Sequence, residues 1–286
     1  MTGLLRVSVL VAFVSSCAST EKSSETGTRP ADSDDSAHTA PADEPPESTV
    51  AATALFDVTG GPYDLALAPD GRLFVSIEES RIDVWDPTTE WVEEHTRRAG
   101  SVFGIEWHGE HLYYTTSNHR QSGALLRLDG RDGTVLATAS GSTIFREPTD
   151  LAVAPDGDWV IPDPTVGTLF VTAPDGTNVR MMNAGVTEPS SVACDMEAVY
   201  VGGIDGVARI PWPDGSPEVI DDRPVNGLYI RGESVLAGGP EWAVFEVGSQ
   251  SAGMGGSEIR MAGRLIGDET IYVADWGGAT VWAIQP

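Results

Sequence analysis

Three oxygen-bearing side chains recur at one place in a repeated sentence of this chain. Asp64 stands in PYDLALAPDG, Asp150 in PTDLAVAPDG and Asn226 in PVNGLYI. Each lies nine residues before the first residue of an apolar segment (Leu73, Trp159, Val235), and the same count gives Phe103, Ser190 and Ala262 in the remaining copies. Carboxylates and an amide carbonyl brought to one point are hard oxygen donors of the kind that hold Ca²⁺ or Mg²⁺. The same residues admit two other roles. An Asp at a strand start can accept backbone N–H groups of its own and the next repeat and act as a staple, or it can contact a small ligand directly. Ser190 and Ser191 stand on the fourth copy, and Glu106 on the second can point the same way by the two-residue period of a strand.

What must position these groups is the repeat itself. DLALAPDG and DLAVAPDG differ at one position. Short runs of Leu, Val, Ile and Phe bounded by Pro, Asp and Gly read as strands, and Asp-Gly supplies the positive φ of a tight turn. Weaker copies open at Leu73, Leu112, Trp159, Val199, Val235 and Ile271. A period of roughly 40 residues with three or four strands is that of a β-propeller blade. Third strands follow in register (RIDVW, ALLRL, TLFVT, VARIP, AVFEV, TVWAI), and fourth strands can be drawn at EWVEEH, TVLATA, NVRMM, PEVID and SEIRM. The sixth copy ends without one, while an apolar run, Thr49 to Val58, precedes the first. An open sheet edge invites aggregation. The expected fold is therefore all-β, a six-bladed propeller over 49–286 whose N-terminal strand closes the last blade.

The repeats resemble the NHL-type and SMP-30/gluconolactonase-like six-bladed propellers. The resemblance rests on Pro62 to Leu67, Pro148 to Val153, Val225 to Leu228 and the second strand Tyr272-Val273-Ala274-Asp275. In SMP-30-like lactonases Glu, Asn and Asp residues hold a divalent cation that polarises a lactone carbonyl. The resemblance implies that role for Asn226, in Asn-Gly-Leu, and for Asp64 and Asp150. The family's Glu-Gly-Pro motif is absent, and Phe103-Gly104 and Ala262 fill two further channel slots. Since one superfold hosts many functions, two readings stand. The first is a non-catalytic binding or scaffolding module with no cofactor, whose partner is an envelope protein or a small ligand. The alternative is a lactonase or esterase dependent on Ca²⁺ or Mg²⁺.

Residues 1–16 carry one Arg and an apolar core, Val7 to Val14, too short to span a membrane, and read as a secretory signal. Val14-Ser15-Ser16-Cys17 looks like a bacterial lipobox, which implies lipidation of Cys17 and an extracytoplasmic, membrane-anchored chain at the outer membrane, the periplasm or the cell surface. Residues 17–48 are Ser, Thr, Pro, Asp and Glu with little to bury, and read as a disordered acidic tether of about 30 Å mean span.

The chain has 43 acidic against 17 basic residues. Such a field repels nucleic acid. Lys22 is the only lysine, so no P-loop exists, and G-x-S-x-G, H-E-x-x-H and C-x-x-C are absent. With Cys17 lipidated, Cys194 has no partner and is expected as a small buried hydrophobe in a monomeric domain. His108 and His111 flank a turn where a metal pair is conceivable, and His95 and His119 fall on an outer strand and a loop. Trp85, Trp107, Trp159, Trp212, Trp242 and Trp282 are expected to pack between blades, with Trp276 at the rim.

Overall fold

The computed structural model describes residues 50–286 except 78–80, 98–100, 119–121, 130–131, 139–144, 241–243, 250–252, 256–258 and 268. The signal segment, Cys17, the tether, His119 and Trp242 lie outside the described residues.

Hydrogen bonding groups the described strands into six antiparallel sheets, and no helix is present among the described residues. Each sheet is one blade. Its inner strand pairs with the second, the second with the third and, in five blades, the third with an outer strand. The inner strands are Pro62–Leu67, Ser101–His108, Ala152–Val153, Ser191–Cys194, Gly227–Arg231 and Ala262–Ile266. The expected closure is present. Ala52–Asp57 pairs antiparallel with Thr280–Ile284, with Ala52 opposite Ile284 and Asp57 opposite Thr280, so the first strand of the chain is the outer strand of the last blade. Phe56 from that strand stacks on Trp85 of blade one at 5.7 Å.

In blade five the described residues form three strands. The expected fourth strand, SEIRM, begins at residues 257–258, which lie outside the described residues; its Ile259 is buried between blades five and six, and among the described residues the third strand is met by a bridge from Val244 to Met254.

The repeated Pro-Asp-Gly turns are built alike. Gly71 and Gly157 take φ of +87° and +90°, which side-chain-bearing residues avoid. Each donates its N–H to Ala68 or Ala154 at 2.9 Å. Asp70 and Asp156 accept the N–H two residues on, at 3.1 and 3.2 Å. This closes the hairpin between inner and second strands with the same face inward each time.

The core consists of six apolar clusters, one at each junction of neighbouring blades. Phe74, Ile82, Ile105 and Tyr114 join blades one and two, and Leu125, Trp159, Ile161 and Phe170 join two and three. Val160, Val171, Val192 and Val201 join three and four, and Tyr200, Val207, Leu228 and Phe245 join four and five. Blades five and six meet at Leu236, Val244, Leu265 and Val273, and six and one at Leu65, Val75, Ala274 and Val281. Both faces of a blade are therefore apolar, which is why its central strands read as near-continuous hydrophobic runs. Trp159, 1% exposed, packs 4.5 Å from Tyr113 of blade two. Trp276 is 44% exposed, as expected of a rim residue.

Candidate functional site

The inner strand of blade six is irregular where it enters the axis. Ala262 pairs with Asp275 and Leu265 with Val273, so Gly263 and Arg264 together oppose Ala274. Such a bulge re-aims a side chain, and here it sends Arg264 across the axis. Blades one and two carry comparable register shifts, between Pro62 and Asp64 and between Val102 and Ile105.

Arg264 is 7% exposed and meets three carboxylates from three other blades. Its Nη1 donates to Asp150 Oδ2 at 2.6 Å and Oδ1 at 2.8 Å, and to the carbonyl of Val192 at 3.0 Å. Its Nη2 donates to Glu106 Oε2 at 3.2 Å. Its Nε lies 3.5 Å from Asp64 Oδ1 and makes no hydrogen bond.

Asp64 and Asp150 are also held by backbone. Asp64 Oδ1 accepts the N–H of Leu65 at 2.7 Å, and Oδ2 accepts that of Ile105, on the next blade, at 2.7 Å. Asp150 repeats this with Leu151 at 2.7 Å and Val192, on its next blade, at 2.8 Å. Each carboxylate thus joins two blades. The strands must approach closely for this. A Cβ on Gly104 would fall 2.4 Å from the Cα of Asp150, so only glycine fits there.

Burial pushes the Asp64 carboxyl well above its ordinary range. Arg264 opposes that, the charge of Asp150 adds to it, and the N–H groups of Ile105 and Leu65 pull it back. Asp150 is raised for the same first reason and opposed by Arg264. Glu106 is pushed up to about 7 by burial, with Arg264 opposing and Asp150 adding. Burial alone would lower Arg264, but Asp150, Asp64 and Glu106 outweigh it and hold the guanidinium charged. One fixed positive charge faces three acids, so at neutral pH the cluster sheds part of its excess charge by keeping protons.

Asn226 is not part of this cluster. It is exposed, and with Tyr63, Ser190, Met261, Gly263 and Trp276 it lines a cavity of about 240 Å³. All six lie at or near the entry ends of inner strands or on the loop beside them, so the cavity is one mouth of the axis. Trp276 packs directly over Gly61, where a Cβ would fall 2.3 Å from the indole. Deeper residues of the same strands line a second cavity of about 190 Å³, with Glu106, His108, Cys194, Tyr229 and Arg264 in its wall. The Arg264 cluster therefore separates two spaces on one axis.

The structure brings Asp64 and Asp150 together, as the repeat register requires, and adds Glu106, but it leaves Asn226 at the mouth. This donor set does not suit a divalent cation. Every carboxylate oxygen of Asp64 and Asp150 already accepts a backbone N–H, and the guanidinium occupies the space between the acids. No group of three or more His, Cys, Asp or Glu residues among the described residues is arranged to hold a metal. Burial pushes the Cys194 thiol far up, away from thiolate chemistry. His108 packs edge-on to Trp159 at 5.7 Å, and His95 edge-on to Phe74 at 5.4 Å.

Sequence reasoning missed Arg264. The available signal was a charge at an inner-strand position that the other copies fill with Ala66, Ile105, Ala152, Val192 and Leu228. It also missed the second-strand acids. Asp163 accepts the N–H of Arg146 at 2.6 Å and of Glu147 at 3.0 Å, and Asp275 accepts those of Met261 at 2.9 Å and Arg260 at 3.2 Å. Both pin the loop that leads into an inner strand, and Asp275 thereby sets the floor of the Trp276 mouth.

No family model matches this chain, and neither does any curated protein. Solved structures do. A structural-genomics target assigned as a gluconolactonase matches with a TM-score of 0.69 and 17% identity, over 83% of this chain and 92% of that one. A gluconolactonase from Xanthomonas campestris gives 0.68 and 17%, over 85% and 95%. The PQQ-bound aldose sugar dehydrogenase of Streptomyces coelicolor gives 0.63 and 14%, over 85% and 99%. At these identities the likeness shows the fold, a six-bladed β-propeller like that of the gluconolactonases.

Proposed function

We propose that this chain is a cell-envelope lipoprotein, tethered through Cys17, whose propeller binds a small polar ring compound of the sugar or sugar-lactone class at the mouth of its axis. The observation that carries this reading is the mouth itself. An exposed indole face (Trp276) and a phenol (Tyr63) stand beside an exposed amide (Asn226) and a hydroxyl (Ser190) around a cavity of about 240 Å³. Flat apolar surface with a few convergent polar groups is the make-up of a small-molecule site. The proteins of similar fold include a gluconolactonase and an aldose sugar dehydrogenase, which supports the ligand class. The described lining residues offer an aromatic face and hydrogen-bonding groups, which suits binding of such a ring.

A second reading, hydrolysis of a lactone or ester, draws on the gluconolactonase likeness and on one group. Glu106 titrates near neutrality on the channel wall, where a general base is most effective. Titration of the full-length protein in detergent with glucose and with glucono-1,5-lactone, read by tryptophan fluorescence and calorimetry, tests the first reading. Saturable binding lost in Trp276→Ala and Asn226→Ala is expected. Absence of binding by any ring compound tested, with intact fold, removes it. Acid release from the lactone that is lost in Glu106→Gln would move the second reading ahead.

A further inference from the structure

We propose that Arg264 is a protein-borne substitute for an axial metal ion. Its guanidinium supplies the positive charge that faces the inward carboxylates of the ring and ties their blades together, so the fold needs no divalent cation, and a cation can enter only when the guanidinium is removed.

A divalent cation placed where several blades meet would take oxygen ligands from them, and would so join them while compensating their charge. Arg264 does both. Rooted on blade six, it reaches Asp64 on blade one, Glu106 on blade two, Asp150 on blade three and the Val192 carbonyl on blade four. A guanidinium suits this place because it is always charged, is planar, and spreads its donors over several directions. The pairing to Asp150 uses both carboxylate oxygens. Lysine, a point charge on a flexible stem, cannot reproduce that spread.

The acids themselves show the same design. The two Asp residues spend one acceptor site on each oxygen on a backbone N–H, and the guanidinium takes what remains at Asp150 and faces what remains at Asp64. Deleting the guanidinium leaves three buried or half-buried carboxylates converging on a space of side-chain size, with no compensating charge. Such an arrangement either keeps protons or takes up a cation. Loss of the guanidinium also removes the charge that lowers all three acids, so they hold protons more tightly than in the native chain and a cation must displace those protons, which raising the pH to 8 assists.

The test compares the thermal midpoint of metal-stripped full-length protein in detergent at pH 8 for the native chain, Arg264→Ala and Arg264→Gln. Each is titrated with CaCl₂, MgCl₂ and MnCl₂ at constant ionic strength, and bound metal is measured by elemental analysis. The native chain is expected to carry no stoichiometric metal and to show no saturable midpoint shift. Both variants are expected to melt lower in chelator and to regain stability saturably, by about 5–10 °C at a hundredfold excess over Kd. Asp150→Asn placed in the Arg264→Ala background should abolish that gain. A stoichiometric metal or a saturable rise in the native chain overturns the proposal. So does the absence of any divalent-specific recovery in both variants, whether they fold without cation or not. A recovery that survives Asp150→Asn places the ion elsewhere and overturns it as well.

Discussion

Arg264 Nη1 lies 2.6 and 2.8 Å from the two carboxylate oxygens of Asp150, although 114 residues separate them in the chain. The pair bridges blades six and three across the axis, and both side chains are almost fully buried, at 8% and 5% exposure. Removing one member of a buried pair strands the other charge, which typically costs 3–5 kcal/mol, roughly. Asp150→Ala and Arg264→Met should each destabilise by about that amount in urea unfolding. The double variant should lose less than the two together, with a coupling of about 0.5–3 kcal/mol. Simple additivity would mean that the pair does not act as a unit.

The acids of the cluster give stability a distinctive pH dependence. The folded-state pKa of Glu106, about 7, lies above its ordinary 4.5. Between those values the folded chain binds more protons than the unfolded one, so stability falls as pH rises and levels off above about 7. Asp64 and Asp150, also raised, act in the same direction. Glu106→Gln should flatten the decline between pH 4.5 and 7. An unchanged slope in midpoint-against-pH curves would contradict the placement of Glu106.

Ring closure rests on Ala52–Asp57 paired with Thr280–Ile284. Deletion of residues 18–47 should leave the unfolding midpoint unchanged. Deletion through Val58 should lower it sharply and promote association, because it removes a strand and exposes the edge of blade six. Val58 is also buried between blades six and one, so its loss opens that junction. Equal midpoints for the two deletions, measured by circular dichroism, would refute the closing role.

Cys17→Ser tests the proposed anchor. Each buried acyl methylene contributes about 0.8 kcal/mol to membrane attachment. The variant should move from the membrane pellet to the soluble fraction. Unchanged fractionation would refute lipidation at Cys17.

At the mouth, Gly61→Ala should displace the Trp276 indole, since the new Cβ would fall 2.3 Å from it. Sugar or lactone affinity is expected to drop about tenfold or more, roughly the effect of losing 1.4 kcal/mol, with little change in unfolding midpoint. Full affinity in calorimetry would show that the indole is not part of the site.

Blade number, strand order and ring closure could be read from the amino-acid sequence, because they follow from local chemistry. Pro-Asp-Gly turns, apolar runs and a repeat of fixed length act over a few residues, and the unmatched strand at each end of the chain left one economical pairing. The meeting of Asp64 with Asp150 was legible for the same reason, since equal offsets in equal repeats converge on one axis. Three things needed the tertiary structure. Arg264 reaches the axis through a bulge, and a bulge depends on how two strands register rather than on either strand alone. Whether an inward Asp holds an ion, a backbone N–H or a guanidinium depends on which groups of the neighbouring blades arrive within 3 Å, a distance set by close approaches such as Gly104 to Asp150. Asn226 shares the offset of Asp64 and Asp150 but stays exposed at the mouth, because an equal count along the chain does not fix how each inner strand registers with its neighbours.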